Sequence, residues 1–177
     1  MASLFTHAFA AAALTAAFRP PPRPVRLWVC AVALSILPDI DAVGYWLGIR
    51  YDGLFGHRGL AHSLLFAFCV GFLTAAVGWR SRPPWLPSGL FLSSVMASHG
   101  ILDALTDGGY GVAFFSPFDP TRYFFPWRPL PVSPLGPEGF FGSRGAAILF
   151  AEILWVWFPL ILLAAGMAGL RRASPQE

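Results

Sequence analysis

The sequence predicts an all-α, polytopic membrane protein: a bundle of four to five transmembrane helices in one integral domain, residues 1–177, with a long aromatic and proline-rich outer loop. Three observations carry that expectation. The 177 residues are 56% hydrophobic and 12% charged, where a soluble domain carries about 25% charged residues. Mean hydropathy is +0.61. Five apolar segments are separated by arginine, proline and glycine, and all 12 basic residues are arginine.

The segments follow in order. The first, about residues 4–18, is short and alanine-rich, so it either crosses a bilayer or lies at its interface. It has no basic stretch before Arg19 and no A-x-A site ahead of a soluble domain, which argues against a cleaved signal peptide. A stiff run of prolines and arginines, residues 19–26, joins it to the second segment, residues 27–47. Pro38 interrupts that segment and predicts a kink. Segments three (residues 60–79) and four (residues 86–105) are long enough for a hydrocarbon core of about 30 Å. The fifth, residues 146–170, is broken only by Glu152 and Pro159. Residues 106–145 form the loop, whose length suggests a function and whose Phe, Tyr and Trp suit the headgroup level.

Arginine placement sets an orientation. Arg19, Arg23, Arg26, Arg80, Arg82, Arg171 and Arg172 fall on one side with a single acidic residue, Glu177; the other side mixes arginine with Asp52, Asp107, Asp119 and Glu138. The positive-inside rule then places the N-terminus out and the C-terminus in. The small net charge of +3, spread between apolar runs, excludes a nucleic-acid-binding stripe. Cys30 and Cys69 lie in apolar runs without a CxxC pair and read as buried free thiols.

Against this background the polar residues stand out. Every histidine (His7, His57, His62, His99) and four aspartates (Asp39, Asp41, Asp103, Asp107) fall in or beside apolar segments. An aspartate at mid-helix costs about 2.5 to 3.5 kcal/mol on insertion scales. On the predicted topology His7, Asp39, His62, His99 and Asp103 lie in one layer, roughly 3 to 12 Å below the outer surface. His99 and Asp103, at i and i+4, share a helix face. Imidazole with carboxylate is a common donor set for zinc and other borderline divalent ions.

Asp39 and Asp41 face nearly opposite ways on an intact helix. The Pro38 kink lets both approach one site, with Asp39 the expected ligand and Asp41 a partner or second ligand. His57-Arg58-Gly59-Leu60-Ala61-His62-Ser63 offers two imidazoles across a loop-to-helix junction. There Gly59 permits the turn and Arg58 is available to an anionic group such as phosphate. Plainer readings remain open: an interfacial role for His7, capping or loop roles for Asp41 and Asp107, and a pairing of Glu152 with Arg144 or a helix contact.

The ordered set Thr6-His7, Pro38-Asp39-Ile40-Asp41, His57-Arg58-Gly59-x-x-His62-Ser63 and His99-x-x-x-Asp103 resembles the bacterial YdjM/YbcI-type inner-membrane proteins, described as membrane-bound metal-dependent hydrolases. It is also similar to the zinc-dependent phospholipase C and P1 nuclease group, in which an early histidine, an aspartate, a histidine and an H-x-x-x-D helix bind zinc. The resemblance implies His7, Asp39, His62, His99 and Asp103 as metal ligands and the bacterial inner membrane as location. No histidine follows His99, so the later ligands of that group's cluster are missing. The set supports one ion, or two with carboxylates filling in, zinc being the first candidate.

The leading expectation is hydrolysis of a phosphoester in a membrane lipid or lipid-linked substrate. The metal would activate water, whichever of Asp41 and Asp39 does not bind metal would act as base, Arg58 would hold the phosphate, and His57 would stand beside them. A proton or cation transporter using the same cluster is the alternative from another class, set back by the lack of a repeat. A non-catalytic membrane factor braced by its metal is the third.

Overall fold

The computed structural model describes residues 1–18, 25–79, 85–134 and 137–173. The proline-rich connection, Arg80 and Arg82 fall outside or largely outside them. The described residues are helical, with no strand. Helix α1 spans Leu4–Phe18 and α2 spans Val25–Ile36. The α2 chain then tightens into a 3-10 helix, Leu37–Ala42, before the single turn α3, Val43–Trp46. Pro38 at the start of that tighter helix lacks the N–H that would continue the α-helical ladder, so the expected kink takes the form of a 3-10 stretch.

A 3-10 turn, Leu60–His62, precedes α4, Leu64–Gly78. Ser63 ends the turn and caps α4, its hydroxyl accepting from Phe66 N at 3.1 Å. His62, expected in the first turn of an apolar span, therefore sits ahead of the helix. Helix α5 runs Trp85–Ala104, α6 is the turn Pro137–Phe140, and α7 covers Ser143–Glu152. A π-helical stretch, Ile153–Trp157, joins α7 to α8, Phe158–Ala173.

Among the described residues, two helical stretches are long and apolar enough to cross a membrane: Val25–Trp46 and Ser143–Ala173. Leu4–Phe18 and Leu64–Gly78 are apolar but shorter. Helix α4 packs along α5, α1 touches both α2 and α8, and α2 lies against α5. The α4–α5 approach is close because Gly71 has no side chain: a Cβ there would stand 2.5 Å from Ser93 N. The core is built largely from small residues, with Ala11, Ala31, Ala67 and Ala75 around Leu27, Leu92, Val95 and Met96. Cys69, expected to be buried, is exposed on α4, and Cys30 is partly buried.

Helix α1 and the α7–α8 rod run side by side in the same direction. Glu152 meets Ser3 and Thr6 at one end, and Arg171 donates to the carbonyls of Ala16 and Ala17 at the other. Residues 105–134 hold only two isolated bridges, Thr106 with Leu130 and Val112 with Tyr123. This segment folds back over the bundle: Leu64 N donates to Phe114 O at 3.0 Å and Phe125 N to Ala104 O at 3.0 Å. The start of α1, the end of α2, the entry to α4 and the end of α5 thus meet at one end.

Candidate metal centre

Four side chains converge where those helix ends meet. Asp39 comes from the 3-10 stretch after α2, His62 from the turn before α4, and His99 and Asp103 from the last turns of α5. One donor atom from each lies within 4.8 Å of every other, and all four residues are buried. His62 Nε2 stands 3.0 Å from His99 Nε2. His99 Nε2 is 3.3 Å from Asp39 Oδ1, and His62 Nε2 is 3.5 Å from Asp103 Oδ2.

The far nitrogen of each ring faces an acceptor, by a hydrogen bond for His99 and at ion-pair distance for His62. His99 Nδ1 lies 2.6 Å from the carbonyl of Ser35, which can only accept, so this nitrogen carries the proton. His62 Nδ1 lies 3.0 Å from Asp41 Oδ2, and the carboxylate likewise calls for a proton on that nitrogen. In their neutral tautomers both Nε2 atoms then present bare lone pairs to each other at 3.0 Å. That repulsion is relieved by a positive charge between them, either a proton on one Nε2 or a metal ion. Two donors each about 2.0–2.1 Å from a tetrahedral zinc stand about 3.3 Å apart, close to the shorter spacings here. Both Asp39 oxygens and Asp103 Oδ2 are buried without a hydrogen-bond donor. Two imidazoles and two carboxylates suit a borderline divalent ion, so the residues fit the implied metal.

His7 stands beside this group. Its ring stacks on His99 with centroids 3.7 Å apart, neither of its nitrogens is hydrogen-bonded, and Nε2 is 3.4 Å from Asp103 Oδ1. The other Asp103 contacts come from the backbone and from Arg58: Ala2 N donates to Oδ1 at 2.7 Å, and Arg58 Nε lies 3.0 Å from Oδ2.

Asp39 and Asp41 use their opposed directions to reach the two sides of one imidazole. Asp39 faces His62 Nε2, at 3.8 Å, and Asp41 holds Nδ1. Asp41 Oδ1 also lies 2.6 Å from His57 Nδ1, and Oδ2 accepts from Arg58 N at 3.2 Å. The Asp41 carboxylate is thereby surrounded by partners. His57 packs edge-on against Tyr51; burial raises the Tyr51 phenol pKa, against the pull of the Arg58 guanidinium.

Arg58 is fully buried, with Nε in ion-pair distance of Asp103 and both Nη atoms hydrogen-bonded. Besides Asp103, it donates from Nη1 to Gly108 O and from Nη2 to Thr106 Oγ1, both at 2.9 Å. Its guanidinium is turned toward Asp103, Gly108 and Thr106, whereas the sequence reading leaves it available to a phosphate. Arg58 also takes the left-handed backbone conformation, φ 62°, a costly choice for a non-glycine residue. The turn therefore bends at Arg58. Gly59, expected to supply the bend, supplies room instead: a Cβ there would lie 2.4 Å from Leu54 O.

Two contributions escaped the sequence reading. Ser35 orients His99 through its carbonyl, and a backbone carbonyl leaves no signature in a sequence. Glu152, fully buried, accepts from Ser3 N, Ser3 Oγ and Thr6 Oγ1 at 2.5, 2.5 and 2.8 Å, in place of a pairing with Arg144. Ser3 and Thr6, three apart ahead of an alanine run, were the available hint. Asp107 accepts from Val132 N at 2.7 Å and serves as a loop carboxylate.

The fold and the site define a class: an all-helical, strongly apolar protein that buries a His/Asp cluster able to hold a metal ion. The family model for the YdjM inner membrane protein matches residues 1–173, and the chain belongs to that family. It is similar to the inner membrane protein YbcI of Escherichia coli (strain K12), with 38% identity over 154 residues covering 84% of this chain and 86% of that protein. No solved structure matches. Family and relative together place the chain in the bacterial inner membrane.

Proposed function

We propose that the protein is a membrane-bound, metal-dependent hydrolase of a phosphoester in a lipid or lipid-linked substrate. The observation that carries this reading is the pair of Nε2 atoms 3.0 Å apart, each ring fixed from behind. Asp39, His62, His99 and Asp103 would hold one divalent ion, zinc in the first instance, with His7 beside Asp103 as a further donor. Bound there, the ion would supply Lewis acidity to water and to a phosphoryl oxygen.

The protein's own groups do the rest. Asp39 Oδ2 takes a proton from the attacking water as its oxygen bonds to phosphorus. The phosphorus–oxygen bond to the leaving alkoxide breaks, and the same carboxyl returns the proton to that oxygen. Asp41 is a positioning residue that keeps the proton on His62 Nδ1, and His57 braces Asp41. Arg58 holds Asp103 in place. This reading gives Asp39 both roles, one oxygen toward the ion and the other as base, and gives Arg58 to Asp103 rather than to phosphate.

A polytopic arrangement of four to five spans, N-terminus out and C-terminus in, is consistent with the arginine distribution and puts the cluster near the outer face. The aromatic segment of residues 106–145 then lies at that face. The test uses purified full-length protein of known metal content, assayed on bis(p-nitrophenyl) phosphate beside His99→Ala and Asp39→Asn. Turnover that depends on metal and drops at least about 100-fold in both variants is expected. Stoichiometric metal without turnover on that diester or on phospholipid vesicles would replace hydrolysis with a bracing role. Cation flux in proteoliposomes would replace it with transport.

A further inference from the structure

A groove of about 350 Å3 opens beside Asp39. Leu4 and Phe5 at the start of α1, Val43 and Trp46 at the end of the α2–α3 stretch, and Phe140 and Phe141 before α7 form its apolar walls. Of the four clustered residues only Asp39 lines it; His62, His99 and Asp103 stand behind. Asp39 is 9% exposed, and neither of its oxygens accepts a hydrogen bond. The rim faces outward: Phe5, Trp46 and Phe141 are 55%, 67% and 79% exposed. Asp39, with Ser3 and Ser133, therefore supplies the polar lining of a groove whose rim is aromatic and exposed.

We propose that this groove is the side entrance of the site and that it holds one hydrocarbon chain of the substrate, with the polar head at Asp39. The inference rests on the hydrolase reading above and adds the shape of the ligand and its path. The volume falls in the range of about 300–1,000 Å3 typical of small-molecule sites. A docked protein helix, about 10–12 Å across, demands a longer trough. A few polar groups (Asp39, Ser3 and Ser133) within otherwise apolar walls match an amphiphile with a single head. The open rim lets such a molecule arrive from an apolar surroundings without crossing polar surface. Asp39 alone repels an anionic head, so head recognition needs the cation of the cluster, whereas chain recognition does not. The two contributions are separable.

The experiment measures the binding of methyl, butyl and hexyl phosphate by calorimetry to full-length protein exchanged from detergent into an amphipathic polymer, after its metal content has been determined. Burial of a methylene from water strengthens binding by up to about fourfold, and hexyl phosphate is expected to bind at least about tenfold tighter than methyl phosphate. Val43→Trp and, on the opposite wall, Leu4→Trp fill the groove. Both should cut that gain below about threefold while metal content and methyl phosphate affinity stay at the wild-type level. Equal affinity for methyl and hexyl phosphate in the wild type overturns the proposal, as does a chain-length gain that survives both variants. Protein that holds no metal removes the hydrolase reading alone; hexan-1-ol, which has no anionic head, then tests the groove against the same two variants.

Discussion

Replacing Asp41 by asparagine isolates the least obvious dependence of the site. The Asp41 carboxylate lies 2.6 Å from His57 Nδ1 and 3.0 Å from His62 Nδ1, and it also accepts from Arg58 N at 3.2 Å. An asparagine has nearly the same shape but one acceptor oxygen and an NH2 that only donates. It can accept a proton from one of the two imidazoles, and its NH2 forces the other to leave Nδ1 bare. If that ring is His62, its proton moves to Nε2, which points at His99 Nε2 3.0 Å away. The protonated nitrogen cannot bind a cation. Loss of such an orienting carboxylate typically weakens metal binding 10- to 100-fold, or about 1.4 to 2.7 kcal/mol. Zinc competition against a chromophoric chelator, run on wild type, Asp41→Asn and Asp41→Ala, reads this directly. Wild-type affinity in both variants would refute the claim that Asp41 sets the tautomer of His62.

Three further outcomes follow from the geometry. Arg58→Met removes a buried guanidinium from beside Asp103 Oδ2 and should cost about 3 to 5 kcal/mol, read as a lower melting temperature of the purified protein; unchanged melting would mean that the ion pair is dispensable. Glu152→Gln turns one of two accepting oxygens into a donor facing the donors of Ser3 and Thr6. It should cost about 1 to 3 kcal/mol with metal content intact, since Glu152 is not in the cluster. Gly71→Val drives a side chain into Ser93 of α5 and should destabilise by about 1 to 3 kcal/mol; its melting curve, compared with that of Gly78→Ala in open space, shows whether the close approach matters.

Much of this architecture is written locally in the chain. An alanine run predicts α1 over its observed residues, and the serine-capped apolar run predicts α4 apart from its entry. His99 and Asp103 share a face because four residues make about one helical turn, whatever the rest of the protein does. Features that depend on distant partners were hidden. Asp39 read as ligand and Asp41 as partner or second ligand, but sequence spacing cannot reveal that a single imidazole offers a nitrogen to each. Arg58 looked free because its partners, Asp103, Thr106 and Gly108, lie far along the chain. For Glu152 the sequence left a pairing with Arg144 or a helix contact open, and the fold takes the second, with hydroxyls about 150 residues away. Cys69 lies in an apolar run yet is exposed; in a membrane protein apolar character marks contact with lipid as readily as burial.

The account depends on a cation between His62 and His99. Elemental analysis of the purified full-length protein, wild type beside His99→Ala, tests this most directly. One divalent ion per chain in the wild type, lost in His99→Ala while the variant remains folded by circular dichroism, is the predicted result. A wild-type protein that takes up no divalent ion even after incubation with zinc, or a variant that keeps the full complement, would contradict it.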